Sequence, residues 1–496
     1  MRIATVVVAI AANVAYVAGS VARNAVRFDS GYNLTVSRNL AQGLGYTGDG
    51  LLSGGAELTP FDPGITTGPT VLVPLAAGYL FGDAGLWIAR IAMCGWFVAL
   101  LIALFLIGRR VGGTVGGAVA MLAPLLFDVT MGIAEEGFQG PTDVLGEIPL
   151  TALLAFAVVA VIRRPYLAAA LVGLAALTKT VALIAAPAIV IAALIVLGER
   201  RIAALIGRAA ALSAIVLAPI VAWQLVTLAS LGFPAYVDNL RFQAQVFRIG
   251  GSGLEGAAAP LRQARLLLDA WHLPAAVAGV ILLLAVVVAV ALVWRSRRTI
   301  PSVLRSLRQR PVALTLLAIA AIGVPWLLWW LLFSTKSYPR YVYPALVLIL
   351  AAALALAVRE LSRLLDRAPA RPALVIGFGV PLALLVAWLV GANIVAAWNP
   401  ASTTIQHQLE ASRVMHEASD DDAFDYDGLA AFPNAISMVS GLTAMPLDGR
   451  SPERPMYFPG GPGSPLEWVR TSIEEHCGTE LFEAPFMYVC EPRPAR

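Results

Sequence analysis

Charge is scarce in this chain, and inside its long apolar runs it is nearly absent. Charged residues make up 13% and hydrophobic residues 59% of 496 positions, against about 25% and about 45–50% in a soluble domain. That composition excludes an ordinary soluble enzyme. The apolar runs also lack the mid-membrane acids and the paired, Gly/Pro-interrupted halves that ion pathways and coupled transporters use, which argues against transport. Cysteine is rare: of the three, Cys94 falls in an apolar run and reads as a small buried side chain. Cys477 and Cys490 fall in a polar tail, where an oxidising compartment permits a disulfide worth about 3 kcal/mol for a loop of that size. The four His are scattered, so no Cys/His zinc spacing is present. The net charge of +4 comes mostly from Arg placed between apolar runs. It reports membrane orientation and gives no support for a nucleic-acid partner.

What is present is a succession of stretches long enough to cross a hydrocarbon core about 30 Å thick. Spans are expected at about 3–20, 86–107, 112–129, 145–162, 166–178, 180–197, 209–230, 273–294, 312–333, 341–358 and 373–394. The first reads as a cleaved signal peptide or a retained helix, with retention favoured. Every second connection is basic: Arg109 and Arg110, Arg163 and Arg164, Arg200 to Arg208, Arg295 to Arg310, and Arg359 to Arg371. The positive-inside rule makes these loops cytoplasmic, with the N-terminus inside and the C-terminus outside. The expected fold is therefore an all-α polytopic membrane protein of about eleven spanning helices, residues 1–394, with a first extracytoplasmic loop at about 21–85. A polar, Pro/Gly-rich tail, 395–496, is expected as a small extracytoplasmic α+β domain. Trp326, Trp329, Trp330, Phe333, Tyr338, Tyr341 and Tyr343 read as an interfacial aromatic belt.

The ionisable residues gather in the outward segments: Arg27, Asp29, Arg38, Asp49, Glu57 and Asp62, then Glu135, Glu136, Asp143 and Glu147, with Lys179, Lys336 and Arg340 on the same side. Acids and cations at one surface of an apolar bundle suit a substrate with a charged head and a long hydrocarbon tail. Solvation of ordinary loops is the competing explanation for any one of them. The spacing of Leu34, Ser37, Leu40 and Ala41 after Gly31 fits a short interfacial helix.

The stretch Arg27-Phe28-Asp29 through Gly43-Leu44-Gly45-Tyr46 resembles the opening loop of the GT-C superfamily of membrane glycosyltransferases, in which an Asp follows the first helix. Thr67-Gly68-Pro69 to Leu75 is similar to the Pro-containing segment that closes that loop, which makes 69–82 a juxtamembrane helix. Gly146-Glu147-Ile148-Pro149-Leu150 resembles the acidic-x-Pro-Leu start of the fourth helix in the aminoarabinose-transferase and protein-mannosyltransferase branch (family 39-like), with Glu where Asp is commoner. Gly173 to Lys179 and Lys336 to Pro344 resemble the Gly-Leu-x-x-Leu-Thr-Lys/Arg hairpin and the Arg-Tyr-x-x-Pro of the same branch.

The resemblance implies inverting transfer of a sugar from a polyprenyl-phosphate donor to a glycan, lipid or protein acceptor at the extracytoplasmic face. It casts Asp29 as general base and Glu147 as a catalytic or orienting acid. An aspartate in water, with pKa about 3.9, is a weak base, so position must supply most of its effect. Lys179, Lys336, Arg340 and Tyr341 become candidates for the donor phosphate. Glu147 also fits a plain helix-capping role. The segment 231–272, with Tyr236, Arg241, Arg248 and a Gly-rich turn at 250–253, reads as a lid or acceptor-binding loop. No cofactor is indicated by these residues, and a divalent cation near the acids is compatible with them but not indicated by them. A lipid-linked glycan polymerase or ligase, and a lipid flippase or transporter, are the alternatives. The Ala/Val/Arg-rich composition with short loops points to a bacterial inner membrane.

Overall fold

The computed structural model describes residues 2–48, 58–82, 85–126, 139–199, 201–249, 258–270, 309–334, 339–367, 372–399, 403–420, 422–426, 433–446, 453–459, 469–484 and 487–493. The expected span at 273–294, Lys336 and the turn at 250–253 lie outside these residues.

Apolar composition and backbone self-satisfaction drive this chain into helices, because a bilayer offers the peptide group no other partner. The chain is an integral membrane protein built on α1 (Arg2–Arg23), α4 (Gly85–Ala120), α5 (Glu147–Ala160), α6 (Pro165–Thr178), α7 (Ala186–Leu197), α8 (Ile202–Leu231), α11 (Pro311–Phe333), α12 (Tyr343–Arg367) and α13 (Pro372–Trp398). Between them lie α2 (Phe28–Ala41), α3 (Pro69–Tyr79), α9 (Phe233–Ile249) and α10 (Ala258–Ala270). Among the described residues, seven helices are long and apolar enough to cross a membrane by length and composition, α7 being counted with the 3-10 turn Thr180–Ala185 that leads into it, while α3, α5 and α6 are shorter apolar helices. A single apolar core joins α4, α5, α6, α7, α11 and α12. Small residues line it, including Ala152, Ala155, Ala168, Ala175, Ala345 and Ala351, all fully buried; small side chains let membrane helices approach closely. At one end Arg110 donates to the Val159 carbonyl (3.0 Å) and Thr315 Oγ1 (3.2 Å), satisfying the C-terminus of α5.

The tail is α+β, as its composition implies. Its sheet runs β2 (Thr443–Pro446), β1 (Ala423–Tyr426), β3 (Met456–Pro459), β5 (Met487–Pro492), β4 (Cys477–Ala484) in spatial order. Strand β1 is parallel to both neighbours and the β3–β5–β4 part is antiparallel. Helices α14 (Ile405–Ala418) and α15 (Pro433–Ser440) supply Ala411, Met415 and Ile436 to one core with Phe424 and Tyr457. Helix α16 (Arg470–His476) lies by the other, where Cys477 and Cys490 form a disulfide beside Met456 and Phe458.

Three expectations change. Helix α2 is not an interfacial helix: Ser30 to Ser37 are all buried, because α3 covers one side and Ile405, Ala435 and Met438 of the tail cover another. Trp326 and Trp330 are fully buried rather than interfacial; the Trp326 indole donates to the Tyr341 carbonyl at 2.8 Å, which gives its polar end a partner inside. The 231–272 segment is helical over α9 and α10 rather than a loop.

Candidate active site

Four turns meet where α1 ends. The first follows from Arg27, extended, which sends the chain into α2 with Asp29 in its opening turn. The second precedes α5. Gln139 accepts from the Ile148 amide at 2.6 Å and donates to the Asp143 and Leu145 carbonyls (2.9 and 3.0 Å), so a distant amide caps this helix. Asp143 folds its carboxylate back onto the Gly140 amide at 2.8 Å. The third is the α6 to α7 hairpin, which carries Lys179 in extended backbone before a 3-10 turn. The fourth is the 3-10 turn Pro339–Val342 ahead of α12, bearing Arg340 and Tyr341.

Uncharged hydrogen bonds pin these turns to each other. Asn33 donates to the Val144 carbonyl (2.7 Å) and to Thr67 Oγ1 (3.1 Å), and the Val144 amide donates to Ser30 Oγ at 3.0 Å. The Gly68 amide donates to the Thr178 carbonyl at 2.8 Å. That approach needs glycine, since a Cβ at 68 would stand 1.8 Å from the Leu177 carbonyl oxygen. Lys179 lies across Gly146 in the same way, its methylenes about where a side chain would be.

The charged groups then interlock. Arg340 Nη2 is 2.6 Å from Asp29 Oδ2, Lys179 Nζ is 2.5 Å from Glu147 Oε1, and Arg340 Nε is 3.9 Å from that same oxygen. Two carboxylates and two cations thus form one neutral cluster. Tyr341 underlies it, with Lys179 Nζ 5.1 Å and the Arg340 guanidinium 5.6 Å from its ring centre; an aromatic face favours a nearby cation. Exposure separates the acids. The Glu147 side chain is 1% exposed and Asp29 23%, so Asp29 is the carboxylate an incoming molecule reaches. Glu147 turns to Lys179 rather than its own helix, and its Oε2 has no hydrogen-bond partner among the described residues. Among those residues, no group of three His, Cys, Asp or Glu is arranged to hold a metal ion.

The sequence-predicted residues Asp29, Glu147, Lys179, Arg340 and Tyr341 are therefore brought together. Tyr236 and Arg241 are not: Tyr236 donates to Gln224 at 3.0 Å, and Arg241 pairs with Asp238 on the exposed side of α9. Arg248 lies in α9 as well. Helix α9 does reach the first loop through Asn239, which donates to the Phe61 carbonyl at 2.9 Å. There Phe61, Tyr46 and Trp223 form an aromatic cluster, with ring centres 4.9 to 5.8 Å apart. Burial pushes the Tyr46 phenol far above its ordinary pKa, keeping it a neutral donor to the Thr67 carbonyl at 3.2 Å. Sequence reasoning missed Gln139, Asn33 and this cluster, since neutral amides and single aromatics carry no motif. It also passed over one plain signal: Lys179 and Lys336 are the chain's only lysines.

No protein-family model matches the sequence, and no curated protein sequence matches it. Solved structures do match, and they show the fold: the chain is folded like ArnT and like an archaeal oligosaccharyltransferase. ArnT from Cupriavidus metallidurans aligns over 98% of this chain and 97% of its own, at 14% identity, with a TM-score of 0.54 in the apo state and 0.56 when bound to undecaprenyl phosphate. The Archaeoglobus fulgidus oligosaccharyltransferase in its apo form aligns over 90% of this chain and 64% of its own, at 13% identity and a TM-score of 0.51. At such identities the likeness is one of fold.

Proposed function

We propose that this protein is a membrane glycosyltransferase that moves a sugar from a polyprenyl-phosphate donor to an acceptor hydroxyl at the extracytoplasmic face of a bacterial inner membrane, with inversion. The observation that carries the reading is the Asp29–Arg340 pair beside Glu147–Lys179, a reachable carboxylate set against two cations. The shared fold supports it, as does the undecaprenyl phosphate bound by the ArnT structure of that fold.

In this reading the donor phosphate takes Arg340 and Lys179 as counter-charges, and Arg340 releases Asp29 as it turns to the phosphate. The Asp29 carboxylate accepts the acceptor hydroxyl's proton while that oxygen forms a bond to the anomeric carbon. The bond from that carbon to the phosphate oxygen breaks, and its electron pair leaves with polyprenyl phosphate, whose charge the two cations neutralise. A single displacement needs no covalent nucleophile and inverts the anomeric centre. Glu147 holds Lys179 in place, and Lys336, which lies outside the described residues, remains a further phosphate candidate. The cytoplasmic N-terminus, the extracytoplasmic tail from about residue 395 and the acceptor (glycan, lipid or protein) belong to the same proposal.

The test is a transfer assay in liposomes with a panel of radiolabelled polyprenyl-phosphate sugars, scoring release of free polyprenyl phosphate by wild type and Asp29→Asn. Release that depends on Asp29 supports the reading. Release indifferent to Asp29, or lipid movement across the bilayer with no bond cleaved, would sink it.

A further inference from the structure

The link between α1 and α2, residues 24–27, has no helix or extended sheet of its own, yet it sets where Asp29 stands. Its backbone is gripped by the start of the tail, nearly four hundred residues away. The Val26 amide donates to Gln408 Oε1 at 2.8 Å and the Gln408 side-chain amide donates back to the Val26 carbonyl at 2.8 Å. One glutamine thus satisfies both polar groups of a buried residue, as a neighbouring β-strand would. Asn24 and Thr404 form an isolated antiparallel bridge, and the Gln406 side chain donates to the Ala22 carbonyl. A capping box fixes this grip. Thr404 Oγ1 accepts from the His407 amide and His407 Nδ1 accepts from the Thr404 amide, each at 3.3 Å. Ile405 is buried with Val26, Leu34, Val36 and Val144. On the opposite side, Arg90 of α4 donates to the carbonyls of Asn24 (2.9 Å) and Val21 (3.3 Å). The backbone three residues before Asp29 is therefore held between the tail and the bundle.

From this geometry we infer that Gln408 is a positioning residue for Asp29, and that the tail contributes to the reaction by fixing the placement of the base. The inference rests on the proposed glycosyl transfer. Gln408 itself is buried, and its paired bonds go to the link rather than to the apolar core that Ala411, Met415 and Phe424 make within the tail. Loss of the grip should therefore act on alignment more than on the tail's own fold. Misplacing a reacting group by about 1 Å costs on the order of 10²-fold in rate.

The test compares full-length wild type, Gln408→Ala, Gln408→Glu and Met415→Ala in the liposome transfer assay, with thermal stability and amide hydrogen exchange measured on the same samples. Met415 is fully buried on the same helix but belongs to the tail's own core, which makes it the control for general destabilisation. The expected result is a kcat for Gln408→Ala lowered on the order of 10²-fold, with the donor KM near wild type because Arg340 and Lys179 remain. Faster exchange at the Val26 amide should accompany it. Gln408→Glu keeps the acceptor for that amide and loses the donor, so it should fall between. Met415→Ala, at equal or greater loss of stability, should retain kcat. An unchanged kcat in Gln408→Ala, or a loss no larger than that of an equally destabilised Met415→Ala, overturns the inference while leaving the transfer reading intact. A wild type that releases no polyprenyl phosphate from any donor removes the transfer reading, and the inference with it.

Discussion

Replacing Lys179 with Met takes away the ammonium 2.5 Å from Glu147 Oε1 and leaves a carboxylate only 1% exposed to find other company. Removing one partner of a buried ion pair costs about 3–5 kcal/mol, because the remaining charge stays desolvated. Two features place this pair within that range. Oε2 of Glu147 already lacks a partner among the described residues, so no second hydrogen bond takes over. Arg340 Nε, however, stands 3.9 Å from Oε1, and two charges about 4 Å apart at an effective dielectric near 20 attract by about 4 kcal/mol. That residual attraction holds the expected loss to the lower end, about 3 kcal/mol. The double variant Glu147→Gln/Lys179→Met removes both charges, and replacing a whole buried pair is often close to neutral. Most of the lost stability should therefore return, although transfer should not, because the proposed mechanism is left with one cation fewer for the donor phosphate. Thermal unfolding of wild type, Lys179→Met and the double variant in one detergent, together with their transfer rates, measures both effects. A Lys179→Met protein as stable as wild type, or a double variant no more stable than it, would refute the buried-pair argument; a double variant transferring at the wild-type rate would refute the functional one.

Other substitutions probe the scaffold. Gly68→Ala puts a methyl 1.8 Å from the Leu177 carbonyl oxygen; overpacking of this kind costs about 1–3 kcal/mol, and a melting temperature unchanged in Gly68→Ala would show that α3 and the Lys179 hairpin are not in contact. Arg90→Met strips a charged donor from the carbonyls that end α1; hydrogen bonds to charged groups contribute about 1.5–3 kcal/mol each, so a clear fall in stability with faster amide exchange over 24–28 is expected. Cys477→Ser with Cys490→Ser removes the disulfide and should lower the melting of the tail by an amount near 3 kcal/mol, about that of a 15-residue loop. Reductant should reproduce the shift in wild type and have no effect on the double variant.

Much of the bundle was legible because arginine in alternate loops and long apolar runs are local signals that lipid makes compulsory. The candidate site was legible at Asp29, Glu147, Lys179, Arg340 and Tyr341 because each sits in a short motif at the end of an apolar run. What escaped depended on distant neighbours. Asn33 meets Val144 across 111 positions and Gln408 meets Val26 across 382, and an amide that does its work through backbone groups leaves no pattern in its own surroundings. Helix α2 read as interfacial because nothing in 28–41 announces that the tail will cover its outer side. Trp326 and Trp330 read as interfacial for a related reason: the Tyr341 carbonyl that accepts from the Trp326 indole is supplied by a later turn.

Helix α4 carries one more consequence. Its helical geometry breaks at Gly112 and Gly113, the latter at φ 69°, a conformation that favours glycine. Across the break, a Cβ on Gly108 would stand 2.4 Å from the Gly116 carbonyl oxygen, and one on Gly117 would stand 2.8 Å from the Phe105 ring. The two legs are thus in backbone contact, and no lipid chain fits between them near the turn. During biosynthesis such legs are expected to leave the translocation machinery as a preformed hairpin, delivered to the bilayer together. Side chains larger than glycine at 108 or 117 would then be felt first as failed insertion, before any effect on the finished protein.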